Sequence, residues 1–419
     1  MLKASVCLLF ILSTQSAFAD SVKLNYADVE RIFSTQNKEI KIAHINQEQS
    51  DHDVYSSYSG FLPVLTFAND YTDTHASNES SAKKIFSNSI GVTQNIFSGF
   101  QDYLKVKNAK LSLEEAGNNL SKERLTQISE LKIAFGNLIL SQRLIKFSKD
   151  LIVTRQGIKD LVALRFSSGS ETKDSFLFAD TQLEEANLSL ITSKHSLESA
   201  KRKLRSIVGG ELPEDFEVTG LIPLSDVPFN PDFQKIAVSS TEFQNAVLSE
   251  KIGAQEVQIS QGKFLPTVDF SVSRERENKR AYSEIDYNKN YYTKYSINIS
   301  FPIFEGFTSF HSLKKSELEN DKNKINVIKT YEDQSMQLKD TFEKCIELKA
   351  KKEIYLKYLE AAKLREMINT SKYRLGIITF TTWIDAQNDL ISYEKSVIEI
   401  DFEIETNLSK WEILAFAKN

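Results

Sequence analysis

The chain has 419 residues, 41% hydrophobic and 26% charged, which is ample for a large packed body. A net charge of −5 and a pI near 5.8 imply no basic surface for nucleic acid. Beyond residue 19 there is no apolar run of about 18 residues or more, so no membrane-spanning helix is expected, and an exported chain is left with the periplasm, the exterior or a transmembrane β-barrel.

Residues 1–19 read as a secretory signal peptide: Lys3, an apolar stretch from Val6 to Leu12, then Ala17-Phe18-Ala19, the small-x-small pattern of a cleavage site. Cys7 sits inside the apolar stretch and would leave with it. Cys345 then remains as a single thiol, which makes neither an internal disulfide nor a zinc cluster.

After the signal the chain repeats itself. Phe61-Leu62-Pro63 recurs 203 positions later as Phe264-Leu265-Pro266, and Phe97-Ser98-Gly99-Phe100 recurs 207 positions later as Phe304-Glu305-Gly306-Phe307. Gly169 and Gly376, and Ala179 and Ala386, are again 207 apart. The change of four falls between Pro63 and Phe97 and marks a tolerant loop there. The first repeat, 20–208, is expected to hold a helix, a strand hairpin over 63–97, and long helices over 101–166 and 172–208. Prolines 213, 223, 228 and 231 crowd an equatorial linker at 209–233. The second repeat, 234–416, should hold a helix, a strand hairpin over 266–303, and long helices over 307–375 and 379–416, with a short tail at 417–419.

No proline lies between Pro63 and Pro213 or after Pro302, so both stretches are free to be very long helices. Leu131, Phe135 and Leu138 keep helical spacing, as do Leu338, Phe342 and Cys345. Strict alternation marks the strands: Thr267 to Ser273, Tyr295 to Phe301, and more weakly Val64 to Tyr71 and Ser89 to Phe97. In a membrane barrel the apolar face would meet lipid and the polar face a wet lumen, with aromatics such as Phe97, Tyr291, Tyr295 and Phe304 as interfacial girdles. In a soluble sandwich the apolar face would turn into a core, and the chain would be a periplasmic coiled-coil structural or adhesion protein without a pore. Four strands cannot close a barrel, for which about eight is the practical minimum. Two copies would give eight strands and a filled interior; three would give twelve and a lumen.

This layout resembles the outer-membrane efflux protein family, the TolC-like channels. The resemblance rests on the signal, the two repeats, Phe-Leu-Pro before a strand, Pro302 to Phe307 leading from strand to helix, and the sequences Tyr373-Arg374-Leu375-Gly376 and Trp383-Ile384-Asp385-Ala386-Gln387. It covers roughly residues 24–416. It implies a membrane α+β fold: four transmembrane strands per chain complete a trimeric twelve-stranded barrel, continued by a long α-helical coiled-coil tunnel in the periplasm. It implies a homotrimer in outer-membrane lipid serving efflux or type I secretion, with a periplasmic adaptor protein and an inner-membrane efflux pump or ABC exporter as partners. It also implies a periplasmic aperture. Asp385 matches an inward acidic ring, with Thr382 where some members have a second aspartate. Tyr373 matches a tyrosine that bonds the neighbouring hairpin, its counterpart position being Ser175 with Asp174 beside it. Ile378 replaces an arginine of that latch, for which Arg374 could substitute. Gly169 and Gly376 end helices at the hairpin turns, and Phe97, Gly99, Phe304 and Gly306 form the strand-to-helix junctions.

Catalytic chemistry is not expected. The five histidines show no metal-ligand spacing, and there is no Walker loop, G-x-S-x-G elbow or G-x-G-x-x-G. No cofactor or metal is called for, and energy for transport must come from a partner.

Overall fold

The computed structural model describes residues 22–74, 83–210, 212–224, 226–278 and 291–415. The expected signal peptide, the tail at 417–419 and the tips of both strand hairpins lie outside the described residues. Among those residues, no helix is long and apolar enough to cross a membrane.

In chain order the elements are β1 (Val22–Leu24), α1 (Tyr26–Gln36), α2 (Lys38–Ser57), a 3-10 turn (Tyr58–Phe61), β2 (Val64–Thr74), β3 (Lys83–Ser98), α3 (Gln101–Ser167), α4 (Lys173–Val208), β4 (Phe216–Val218), α5 (Phe233–Ser239), α6 (Thr241–Gly262), β5 (Thr267–Asn278), β6 (Tyr291–Ser300), α7 (Thr308–Arg374) and α8 (Phe380–Ala415). The repeat is reproduced residue for residue in the long helices. α3 and α7 are each 67 residues and α4 and α8 each 36, with every boundary displaced by 207. A 67-residue helix is about 100 Å long, far beyond what propensity alone sustains, so its stability comes from packing along its length.

Each repeat's opening helix is interrupted where one helix was expected. Asn37 stands between α1 and α2, and Ser240 stands 203 residues later between α5 and α6. Both are buried N-caps: Asn37 Oδ1 accepts from the Ile40 N–H at 2.8 Å, and Ser240 Oγ accepts from the Phe243 N–H at 3.2 Å. Asn37 Nδ2 also donates to Gln127 Oε1 at 3.0 Å.

The chain divides into two compact units, one of the chain up to Gln36 with Ala134–Pro223, the other of Asn37–Ile133 with Leu224 onward. In the first unit, β1 pairs in parallel with β4, which lies inside the proline-rich segment expected to be an irregular linker. The pair is held from below by Gln142, whose amide bonds both the N–H and the C=O of Val218 at 3.0 Å. Phe216, Leu204, Val208 and Leu138 fill the core, and Tyr26 meets Phe135 edge-on at 5.5 Å. Lys201 bonds Asp215 at 2.8 Å and lies over the Phe216 ring.

The second unit contains a four-stranded antiparallel sheet in the order β2-β3-β5-β6. The two hairpins have the same register under the repeat. Val64 opposes Thr93 in the first, and Thr267 opposes Ser300 in the second. The register places Leu65, Phe67, Ile90, Val92, Val268, Phe270, Val272, Tyr295, Ile297 and Ile299 on one face. Thr66, Ala68, Thr93, Gly91, Ser89, Asp269, Ser271, Ser273, Ser296, Asn298 and Ser300 lie on the other. The apolar face is bare: Phe67 is 72% exposed, Ile297 71% and Ile299 67%. Among the described residues no second sheet covers it. The unit's hydrophobic core lies instead among helices, where Trp411, Leu408, Leu338, Cys345 and Ala237 pack with Phe233 and Phe342. Burial pushes the Cys345 thiol pKa up, against a smaller opposing pull from its bond with Asn407.

Replacing Asn37 by Ala removes a cap and a buried amide pair and is expected to lower stability by about 1–2 kcal/mol. Ser240→Ala should cost about 1 kcal/mol. Both are read as a lower melting midpoint in the helical circular-dichroism signal of the purified protein.

Candidate functional site

Two structural features repeat and carry the residues that the sequence singled out: the strand-to-helix junctions and the helix-hairpin tips. At the junctions, the Phe-x-Gly-Phe motif makes two successive left-handed residues. Gly99 and Phe100 have φ of 66° and 63°, Gly306 and Phe307 62° and 65°. Glycine tolerates this region freely, whereas a phenylalanine there is strained by about 1–2 kcal/mol. The strain is held in place by its own ring. Phe97 meets Phe100 edge-on at 5.2 Å, and Phe304 meets Phe307 at 5.4 Å, both at 89°. At the first junction Asp102 accepts from Ser98 Oγ at 2.5 Å and Asn95 Nδ2 at 3.1 Å, tying the strand end to the first turn of α3.

At the tips, α3 turns into α4 in the first unit and α7 into α8 in the second. Both turns are Schellman motifs. Gly169 (φ 71°) donates to the Phe166 carbonyl and Ser170 to that of Arg165; Gly376 (φ 72°) donates to the Tyr373 carbonyl and Ile377 to that of Lys372. Behind each turn an aromatic pair joins the two helices: Phe166 stacks on Phe176 at 5.8 Å and 12°, and Tyr373 stacks on Trp383 at 4.2 Å and 10°. These pairs are 207 residues apart at both members.

One further pair of positions also matches. Lys159 bonds Asp180 at 2.6 Å in the first hairpin, and Glu366 accepts from Gln387 at 2.6 Å in the second. The carboxylate of Asp180 holds the Lys159 pKa above its usual value. In the second hairpin the bond belongs to a network. Thr370 Oγ1 donates to Glu366 at 2.7 Å and accepts from Trp383 Nε1 at 2.7 Å and Gln387 Nε2 at 3.0 Å, and Arg365 reaches Asp389 at 2.5 Å.

The residues named for the aperture fall at these tips. Tyr373 is buried against Trp383 and Phe380. Arg374, Thr382 and Asp385 are exposed, and Ile378 is half-buried. Thr382 bonds Thr379, which begins the turn into α8. In the other unit Ser175 is buried and shares a bond of 3.0 Å with Thr172. Exposed Asp174 has its carboxyl held below the usual range, chiefly by a hydrogen bond from Thr172 and further by the N–H groups of α4's first turn. Leu375 and Ile377 expose apolar side chains at the very tip, 75% and 66%. The stacks and the Thr370 network were missed by sequence reasoning, although the aromatic pairs sit at matched repeat positions and could have been found there. Among the described residues, no group of three His, Cys, Asp or Glu side chains could hold a metal ion.

A four-stranded sheet with an exposed apolar face, joined by strained junctions to paired helices of 67 and 36 residues, is the fold this chain shares with solved outer-membrane channels. Residues 34–210 match the family described as outer membrane efflux protein, and the chain is similar to that family. Among solved structures it superposes on the CmeC outer membrane channel of Campylobacter jejuni with a TM-score of 0.81 at 13% identity, covering 100% of this chain and 94% of that one. VceC of Vibrio cholerae gives 0.77 at 15% identity over 93% and 96%. The open state of the MtrE outer membrane channel of Neisseria gonorrhoeae gives 0.78 at 14% over 93% and 88%. At such identities the likeness is one of fold. No protein of curated function matches the sequence.

Trp383→Ala deletes the stack on Tyr373 and the donor to Thr370. A large buried aromatic lost in this way costs about 3–5 kcal/mol, so amide exchange over 366–387 should accelerate strongly. Gly169→Ala meets no atom within 4 Å and should cost only the left-handed penalty, about 1–2 kcal/mol, leaving exchange elsewhere unchanged.

Proposed function

We propose that this chain is a passive exit duct of a bacterial outer membrane, built from three copies. The observation that carries the reading is the sheet: apolar residues stand exposed on one face, polar residues line the other, and among the described residues both edge strands, β2 and β6, are open. A lipid bilayer satisfies the first face and a water-filled lumen the second. Lipid offers nothing to an open edge, because unpaired N–H and C=O groups in hydrocarbon cost several kcal/mol each. Three copies supply twelve strands, enough to close a ring around a lumen. The long helices carry the conduit into the periplasm.

The sequence carries no Walker loop, and in this reading transport is driven by others. An adaptor protein in the periplasm and an inner-membrane efflux pump or ABC exporter are the partners this role requires. Efflux of small molecules and type I secretion are both compatible with such a duct. At its periplasmic end the α7–α8 tip is proposed to form the aperture. Three copies of exposed Asp385 would ring the axis and favour cations. Tyr373 would hold the tyrosine position of that aperture, with Ser175 and Asp174 at the counterpart position of the first repeat, and the apolar Ile378 would take the place of a polar latch.

The two faces of β5 give the test. Val272→Arg puts a charge on the lipid face, worth about 2–4 kcal/mol against insertion at the bilayer midplane, and should abolish assembly into outer-membrane fractions. Ser271→Arg, one residue away on the lumen face, should assemble and lower single-channel conductance for cations. Equal tolerance of both substitutions would contradict the membrane orientation of the sheet.

A further inference from the structure

The outer end of β5 sorts charge by face. The sequence there is Arg274-Glu275-Arg276-Glu277, cation and anion in strict alternation. Parity puts Arg274 and Arg276 on the face of Val268, Phe270 and Val272, the face proposed above to meet lipid. Glu275 takes the other face, where Ser273 Oγ and the Tyr292 hydroxyl donate to it at 2.6 and 2.7 Å. An arginine on a lipid-facing strand is costly at the bilayer midplane and nearly free at the interface, so this pair marks a boundary.

The boundary falls at headgroup height. Arg274 pairs in register with Thr293 and Arg276 with Tyr291, at the end of the sheet remote from the helices. Phe301, just past the other end of β6, lies ten residue steps from Tyr291. That is about 33 Å along a strand, and about 25 Å along the membrane normal at a tilt of about 40°. The apolar band of a membrane barrel has the same height. Both guanidinium groups gather on one aromatic ring at this level. The Cζ atoms of Arg274 and Arg276 stand 5.4 and 5.3 Å from the Tyr291 centroid.

We infer that Arg274, with Arg276 and Tyr291 beside it, binds the phosphate of a lipid in the outer leaflet. Arg274 is exposed, and its hydrogen bond is to a neutral group, from Nη1 to Thr293 Oγ1 at 3.2 Å. Among the described residues it has no carboxylate partner. A guanidinium carries five donors in a planar fork. Most of them remain for an anion, and a phosphate accepts two in parallel. Buried Arg276 adds positive potential. Asp73, a carboxylate on the same face, lies on β2, with β3 between it and β5, and accepts from the Tyr71 hydroxyl at 3.3 Å. A free phosphate would meet the same fork, but a lipid also lays its acyl chains on the apolar rows below, where Val272 opposes Tyr295. The inference rests on the membrane orientation proposed above and names the lipid chemistry that the rim of the sheet selects.

The test is lipid retention by the full-length mature protein in mild detergent, read by native mass spectrometry. The probes are diphosphoryl lipid A and its dephosphorylated form, with inorganic phosphate as competitor. The diphosphoryl form should be retained in preference. Arg274→Gln should weaken its retention about tenfold or more, Arg274→Lys should weaken it less, and Glu275→Gln on the opposite face should leave it unchanged. Inorganic phosphate at equal concentration should not displace the lipid; displacement would overturn the lipid assignment. Equal retention by the unaltered protein and Arg274→Gln, or of both lipid forms, in a protein that still inserts into vesicles as an oligomer, would overturn the site and leave the duct intact. A water-soluble monomer without affinity for vesicles would remove the membrane face and the site together.

Discussion

The controlling constraint is that a β-sheet in hydrocarbon must have no edge. Here the sheet has two, β2 and β6, and its exposed face is apolar. Either property alone has ordinary solutions in water: charged or twisted edges, or a covering layer. Together, on strands whose opposite face is Thr, Ser, Asp and Asn, they are the two properties on which the proposed closure with sister chains rests.

The helices impose a second condition. The intervals between the described strands of the two hairpins differ by four residues, 74 to 83 against 278 to 291. From the junction onward no difference is accepted: α3 and α7, and α4 and α8, agree in length to the residue. Packed helices of 67 residues read register along their whole length, and one inserted residue would rotate every later side chain by about 100°. The strained Phe100 and Phe307 belong to the same logic. The chain must leave the sheet and start a helix at a set phase, and the left-handed Gly-Phe pair sets it at both junctions.

Much of this was legible in the sequence because it depends on period and spacing. The proline-free stretches and the 207-residue offset placed the long helices, and strict alternation from Thr267 to Ser273 placed β5. The two faces of the sheet followed from parity. What remained hidden depends on single side chains meeting at a distance. The breaks at Asn37 and Ser240 arise from capping side chains that look like any polar residue in a helical stretch. The β1–β4 pair joins three-residue strands nearly 200 positions apart, too short to show alternation. At the tips, Gly169 and Gly376 were readable from the need for positive φ, whereas the contact of Trp383 with Thr370 across 13 residues needed the turn geometry first.

The most direct measurement is the mass of the mature protein extracted in mild detergent, by native mass spectrometry. A single species of three chains that needs detergent to remain in solution is the predicted result. A monomer that stays soluble without detergent and does not partition into vesicles would contradict the membrane duct outright.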